Sequence, residues 1–238
     1  RNMIVNHLHG KVIYPTPKGQ EPTFRSLIHK WNHNHEWSQF GEDLLLGINA
    51  DKKVSQSKQQ FLPDNLRRDF AKGIYNGAPL VMETHELLAP QNSIIKTETP
   101  LSPLSVACIF VILCTIMMIV SNRKHKMYWI WDTILMLAAG LIGIIYFMML
   151  FSQHPCVSLN VIICFFNPLP LFFLYKTIKK TRRQEANIWW KIWGSLIILG
   201  FIGAFFQRIP TAVLIVALFL LLHCVLHIRL DRPVRKYN

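Results

Sequence analysis

The chain has 238 residues, is 51% hydrophobic and carries a formal net charge of +13. That length bounds it at one or two domains. The charge excludes no membrane role, and it is not a nucleic-acid signature, because the basic residues flank apolar spans and form no basic, aromatic-studded face.

The average hides two halves. Residues 1–102 hold 12 Lys and Arg against 10 Asp and Glu, whereas residues 103–238 hold 14 against only Asp132, Glu185 and Asp231. The first half reads as soluble and mixed α/β, the second as membranous. In chain order, Gly10–Pro15 (GKVIYP) suits a short strand. TFRSLIHKWNHNHEW starts helically with Thr23 as N-cap. His29, His33, His35 and Glu36 have the look of a metal cluster, but no fourth ligand pattern follows, and a solvated histidine-rich surface is the favoured reading. FGEDLLLG, Phe40 to Gly47, is a short apolar helical turn closed by glycine. SQSKQQFLPDNLRRDFAKGI is a second helix interrupted at Pro63, and APLVME a second strand. So few strands in about ninety residues suggest part of a domain. Residues 91–102, within PQNSIIKTETPLSP, form a polar Ser/Thr/Pro linker.

Five apolar segments follow, at about 103–121, 128–151, 158–175, 188–206 and 210–229, lengths that suit a hydrocarbon core of about 30 Å. Residues 121–126 and 176–183 and the tail 231–238 are basic, while the second and fourth connections carry only Arg208 between them. The positive-inside rule then puts the C-terminus in the cytoplasm and residues 1–102 outside it. Trp129, Trp131, Trp189, Trp190 and Trp193 fall near the cytoplasmic ends, as an interfacial belt does. All five cysteines lie beyond residue 107 and none has metal-ligand spacing. Four read as small buried hydrophobes, with Cys156 set apart in a loop. Asp132 is an intramembrane acid and a functional candidate by default; an interfacial ion pair with Arg123, Lys124 or Lys126 is the simpler reading. His223 and His227 have i, i+4 spacing but no carboxylate nearby in sequence, so no metal is expected there.

The third segment is unusual. Asn167, Pro168 and Pro170 interrupt it, removing two N–H donors. A broken membrane helix survives where it is buried in protein or lines a cavity; a kinked packing helix and a lipid-lined cleft both fit.

FGEDLLLGINADKK, QQFLPDNL and GAPLVMETHELL together resemble the last third of the periplasmic domain of the Lnb family, bacterial lipoprotein N-acyltransferases. The membrane half resembles that family's five-helix domain, with FSQHPCVSLNVIICFFNPLPL similar to its second periplasmic loop and third helix. The resemblance implies a mainly α membrane protein, a five-helix bundle (103–230) preceded by the C-terminal part (1–90) of an α+β, NlpC/P60-like periplasmic domain, in the bacterial inner membrane. It implies a cysteine nucleophile with a histidine base, which takes an acyl chain from phospholipid as a thioester and passes it to the N-terminal amine of a diacylated lipoprotein. No cofactor or metal is implied. No cysteine occurs in residues 1–107, so the nucleophile is expected before Arg1, the chain reads as the C-terminal portion of a longer enzyme, and it is expected to be inactive alone. Substrate contacts are expected at His154, at the headgroup level, at Asn160, and at Asn167, with Phe165, Phe166 and Phe172 along an acyl tail. The bland readings are a solvated loop histidine and a packing helix. A membrane-anchored scaffold with a periplasmic interaction domain is the alternative function; a transporter would want more polar positions within the spans and an internal repeat.

Overall fold

The computed structural model describes residues 6–8, 10–15, 21–32, 35–88 and 100–230. The chain forms two compact units, Arg1–Trp31 with Lys52–Glu98, and Asn32–Asp51 with Thr99–Asn238. Residues 32–51, which in sequence sit inside the first half, therefore pack with the helical bundle. His33 of the histidine cluster, most of the linker and the basic tail lie outside the described residues.

The first unit contains a three-stranded antiparallel sheet in the order β1 (Val12–Ile13), β2 (Ile74–Tyr75) and β3 (Ala78–Pro79). Val12 pairs with Tyr75, and Tyr75 with Ala78. The β2–β3 turn is Asn76-Gly77 with φ of 47° and 88°, the left-handed pair that a two-residue hairpin requires. Helix α1 (Phe24–Asn32) starts where expected: the Thr23 hydroxyl accepts from Ser26 N at 3.1 Å, and the Ser26 hydroxyl accepts from Thr23 N at 2.9 Å. The second helix is split around proline, because Pro63 opens a new helix instead of continuing the old one. Residues Gln56–Gln59 form one turn, and Pro63–Ala71 the next helix. Tyr14 and Phe70 pack at 5.7 Å between centroids, carrying the residues after β1 onto that second helix.

The second unit begins with the amphipathic helix Glu36–Leu45, called α2 below, and a 3-10 turn Ile48–Asp51. The bundle comprises αA (Pro103–Arg123), αB (Trp129–Met149), αC (Leu169–Arg182), αD (Trp189–Gly203) and αE (Thr211–Leu230). αA starts at the expected residue, with Pro103 in its first turn and the Ser102 hydroxyl accepting from Ser105 N at 3.1 Å. αA packs along αE, αB along αC, and αD along αE.

The bundle has four segments long and apolar enough to cross a membrane: αA, αB, Val161–Arg182 and αE. The expected fourth span is a helix of 15 residues, about 22 Å at 1.5 Å per residue. Helical bonding carries on past it, with Gln207 N donating to Gly203 O at 3.2 Å. Its flanks reach both ends of the neighbouring segment: Asn187 donates to Thr177 at 2.9 Å, and Gln207 to Asn160 at 2.9 Å.

Three local expectations are corrected. Trp189, Trp190 and Trp193 are fully buried in the bundle core; only Trp129, with Arg182 over its ring at 4.3 Å, has the anchor-like setting expected of the belt. Cys156, set apart as a loop cysteine, is buried. Asp132 pairs with none of the loop cations: its Oδ1 accepts from His223 Nε2 at 2.9 Å and His227 Nε2 at 3.0 Å, and its Oδ2 from the Thr181 hydroxyl at 3.0 Å. A carboxylate is therefore beside the histidine pair after all.

The interruption in the third segment is a change of helix. Residues Val161–Cys164 form a 3-10 turn, and αC begins only at Leu169. Pro168 and Pro170 fall where a helix start lacks N–H partners anyway. The Asn167 side-chain oxygen accepts from Leu169 N at 3.2 Å. αB comes close enough to this break that a Cβ at Gly143 would overlap the Asn167 carbonyl.

Candidate functional site

The apolar positions of α2 recur at helical spacing: Trp37, Phe40, Gly41, Leu44 and Leu45. That is the i, i+3, i+4, i+7, i+8 stripe of a helix with one buried face. Here the stripe covers a cavity of about 700 Å³, within the size range of small-molecule sites. αA contributes Pro103, Val106, Ala107 and Phe110 to its wall, again at helical spacing. αB contributes Leu135, Ala139, Ile142 and Tyr146 among others, and αE Ala212, Val213, Val216 and Leu220. αA and αB make no extended contact with each other, so the cavity occupies the gap between them, with αE behind. The lining is almost wholly hydrocarbon, which suits a ligand part with no hydrogen-bonding groups.

The roof is stitched down at its C-terminal end. Asn160 Nδ2 donates to Leu44 O at 2.8 Å, and Gln207 Nε2 donates to Leu46 O at 3.1 Å. Gly47 N donates to Cys156 O and Ile48 N to Leu159 O, each at 2.8 Å. Asn49 Nδ2 donates to Pro155 O at 3.0 Å, and Arg208 N to Asp51 Oδ2 at 2.9 Å. A Cβ at Gly47 would overlap the Leu159 carbonyl, so only glycine permits this approach. Near the other end, Trp37 Nε1 donates to Leu101 O at 2.8 Å.

Gln207 is the hub of this junction. It is 1% exposed; besides Leu46 it donates to Asn160 Oδ1 and accepts from Val161 N at 2.8 Å. Gln207→Ala takes that partner from Leu46 O, Asn160 Oδ1 and Val161 N, a cost of about 3 kcal/mol. The Gly47 and Ile48 amides should then exchange with deuterium at least about tenfold faster, while amides in the middle of αE stay protected. Unchanged exchange at Gly47 and Ile48 would show that Gln207 does not hold the roof.

The residues expected to meet substrate are placed as follows. His154 is exposed, and its Nδ1 accepts from Cys156 N at 3.3 Å. Asn160 is buried, with its amide given to Leu44, Ile162 and Gln207. Asn167 is buried, and its Nδ2 has no hydrogen-bond partner among the described residues. None of the three is among the cavity-lining residues, but Phe166, next to Asn167, is. Phe165 is core and Phe172 lies largely exposed on the outer surface. His154 and Asn160 flank the loop that holds α2, so the structure brings them to the roof's anchor. The lining residues of α2 and αA, missed as a site from sequence, were marked by their stripe spacing.

A family model described as the Lnb transmembrane domain matches residues 95–233. No curated protein matches the chain, and no solved structure does.

Proposed function

The chain belongs to the Lnb transmembrane-domain family, and from that premise we propose that its bundle is the membrane platform of a bacterial lipoprotein N-acyltransferase. The observation that carries this reading is the hydrocarbon-lined cavity between αA and αB, roofed by α2. Such a cavity suits the acyl chain of the phospholipid donor. Both donor and diacylated lipoprotein acceptor live in the bilayer, so a fixed site there replaces diffusion with positioning, the largest contribution a platform of this kind makes. Residues 1–107 contain no cysteine and buried Cys156 has its backbone in the roof junction, so on this reading the bundle provides the platform and the acylated thiol is presented to it. The first unit, with its small antiparallel sheet and short helices, is assigned to an NlpC/P60-like periplasmic domain. His154, exposed beside the roof anchor, meets the headgroup; Asn160 and Asn167 act on the substrate by holding the roof and shaping the helix break.

The same reading orients the chain. The basic stretches 121–126 and 176–183 are cytoplasmic, the roof end of the bundle is periplasmic, and αD, extended to Gln207, is the fifth crossing. Alkaline phosphatase fused after Val157 should be active and after Arg183 inactive. Activity of the second fusion would overturn the five-crossing topology.

The cavity assignment is tested by reconstituting the chain into vesicles containing a phospholipid with a diazirine on its acyl chain. Photolysis should label Phe40, Leu44, Ala139 and Val216. Labelling confined to outward residues such as Phe172 and Phe205 would leave only bulk lipid contact, and the scaffold reading would replace this one.

A further inference from the structure

At the opposite end of the bundle from the roof junction, two helices bring three side chains to one point. αB supplies Asp132, αE supplies His223 and His227, and the possible ligand atoms of these three buried residues lie within 4.8 Å of one another. We propose that they bind a divalent first-row transition metal of the zinc class.

The chemistry of the donors selects that class. Two imidazoles and one carboxylate are intermediate donors, suited to zinc and its neighbours and poor for soft cuprous copper or for calcium. Spacing of i, i+4 on a helix presents both imidazoles on one face. Both Nε2 atoms already meet one carboxylate oxygen, at 2.9 and 3.0 Å; a cation there replaces those two hydrogen bonds, each imidazole then carrying its proton on Nδ1. Their surroundings hold them there. Trp190 stacks on His227 at 3.8 Å with ring planes 13° apart, and meets His223 edge-on at 5.4 Å. The Thr181 hydroxyl on αC donates to the other carboxylate oxygen at 3.0 Å, leaving Oδ1 to the metal. Outer contacts of this kind orient ligands and sharpen metal affinity. Cys224, next in sequence to His223, is not part of the group, so the site has no thiolate. Three protein ligands leave one position for water, since zinc prefers four.

The position gives the metal a structural task. Asp132 lies one turn from Leu135, and His223 one turn from Leu220; both leucines line the cavity. A cation joining αB to αE therefore fixes the spacing of two cavity walls just beyond its floor. An ionisable cluster within a membrane bundle is a functional candidate by default, and this one adds a defined donor set.

The test uses the full chain, purified through a histidine-free tag in detergent, stripped with chelator and dialysed against Zn²⁺ or Co²⁺. One equivalent of Zn²⁺ should remain, and X-ray absorption should show two imidazole nitrogens and no sulfur. His223→Ala and His227→Ala should each abolish retention. Thr181→Val should keep the stoichiometry but weaken affinity about tenfold, as loss of an outer-sphere contact does. Because a histidine variant that fails to fold also loses metal, the wild-type spectrum decides. A folded wild-type chain that retains no metal, or whose metal is bound through sulfur or without two imidazoles, overturns the proposal and leaves Asp132, His223 and His227 as a hydrogen-bonded clamp.

Discussion

Gly41→Trp should lower acyl-chain photolabelling of the cavity by at least about tenfold, equivalent to about 1.4 kcal/mol of binding. Gly41 lies in the middle of α2 and faces the cavity, and a Cβ built on it meets nothing within 4 Å. An indole there has space to enter, and the space it takes is the space proposed for the acyl chain. The change should not harm the roof itself, because tryptophan is a better helix residue than glycine. The anchoring bonds also lie to either side of it, at Trp37 one turn before and from Leu44 onward. Gly41→Ala is the control: one methyl leaves most of the cavity open, so labelling should stay near that of the wild type. Full labelling of Gly41→Trp at Phe40 and Leu44 would mean that the lipid does not occupy this cavity.

Gly143→Ala should be the most damaging single methyl in the bundle. The added Cβ would overlap the carbonyl carbon, oxygen and Cα of Asn167, and backbone cannot swing aside as a side-chain tip does. Small residues are what let membrane helices approach to this distance. The opposing backbone is the break at Asn167–Pro168, fixed by the Asn167 bond to Leu169 N at 3.2 Å. The helices must part or the break must shift, at a cost of about 3 kcal/mol. Gly194→Ala provides the comparison, since its Cβ would lie an ordinary 3.5 Å from Cys224 Cβ. Unfolding of the purified chain by heat or SDS should show Gly143→Ala clearly less stable and Gly194→Ala close to wild type. Equal stability of the two variants would mean that αB does not approach the break this closely.

Local signals carried much of this fold and failed where partners are distant. The change from polar linker to apolar sequence marked the start of αA near residue 103. Thr23 marked the start of α1 because capping is a property of adjacent residues. The hairpin at Asn76-Gly77 was equally local and was passed over, although this dipeptide demands the two left-handed residues found there. The prolines at 168 and 170 announced a break, but their spacing cannot distinguish a kink from a new helix. Tryptophans near a helix end suit an interfacial belt and a core equally well by composition; Trp189, Trp190 and Trp193 went to the core because other helices pack over them. Asp132 was sought among its sequence neighbours, yet its histidines lie 91 and 95 residues away. Gln207 looked like loop polarity and is the buried hub of the roof junction. The cavity itself was written in the stripe from Trp37 to Leu45, but nothing in that stripe says which helices it covers.

On the proposed function, the roofed cavity holds an acyl chain for transfer. Its most direct test places this bundle behind the thiol-bearing domain that the family resemblance calls for, in vesicles with isotope-labelled phospholipid and a diacylated lipopeptide. Mass spectrometry of the lipopeptide should show one labelled acyl chain gained at its N-terminus with the wild-type bundle. With Gly41→Trp the gain should fall by at least about tenfold, equivalent to about 1.4 kcal/mol in transition-state stabilisation. Transfer at the wild-type rate with the cavity filled would contradict the account.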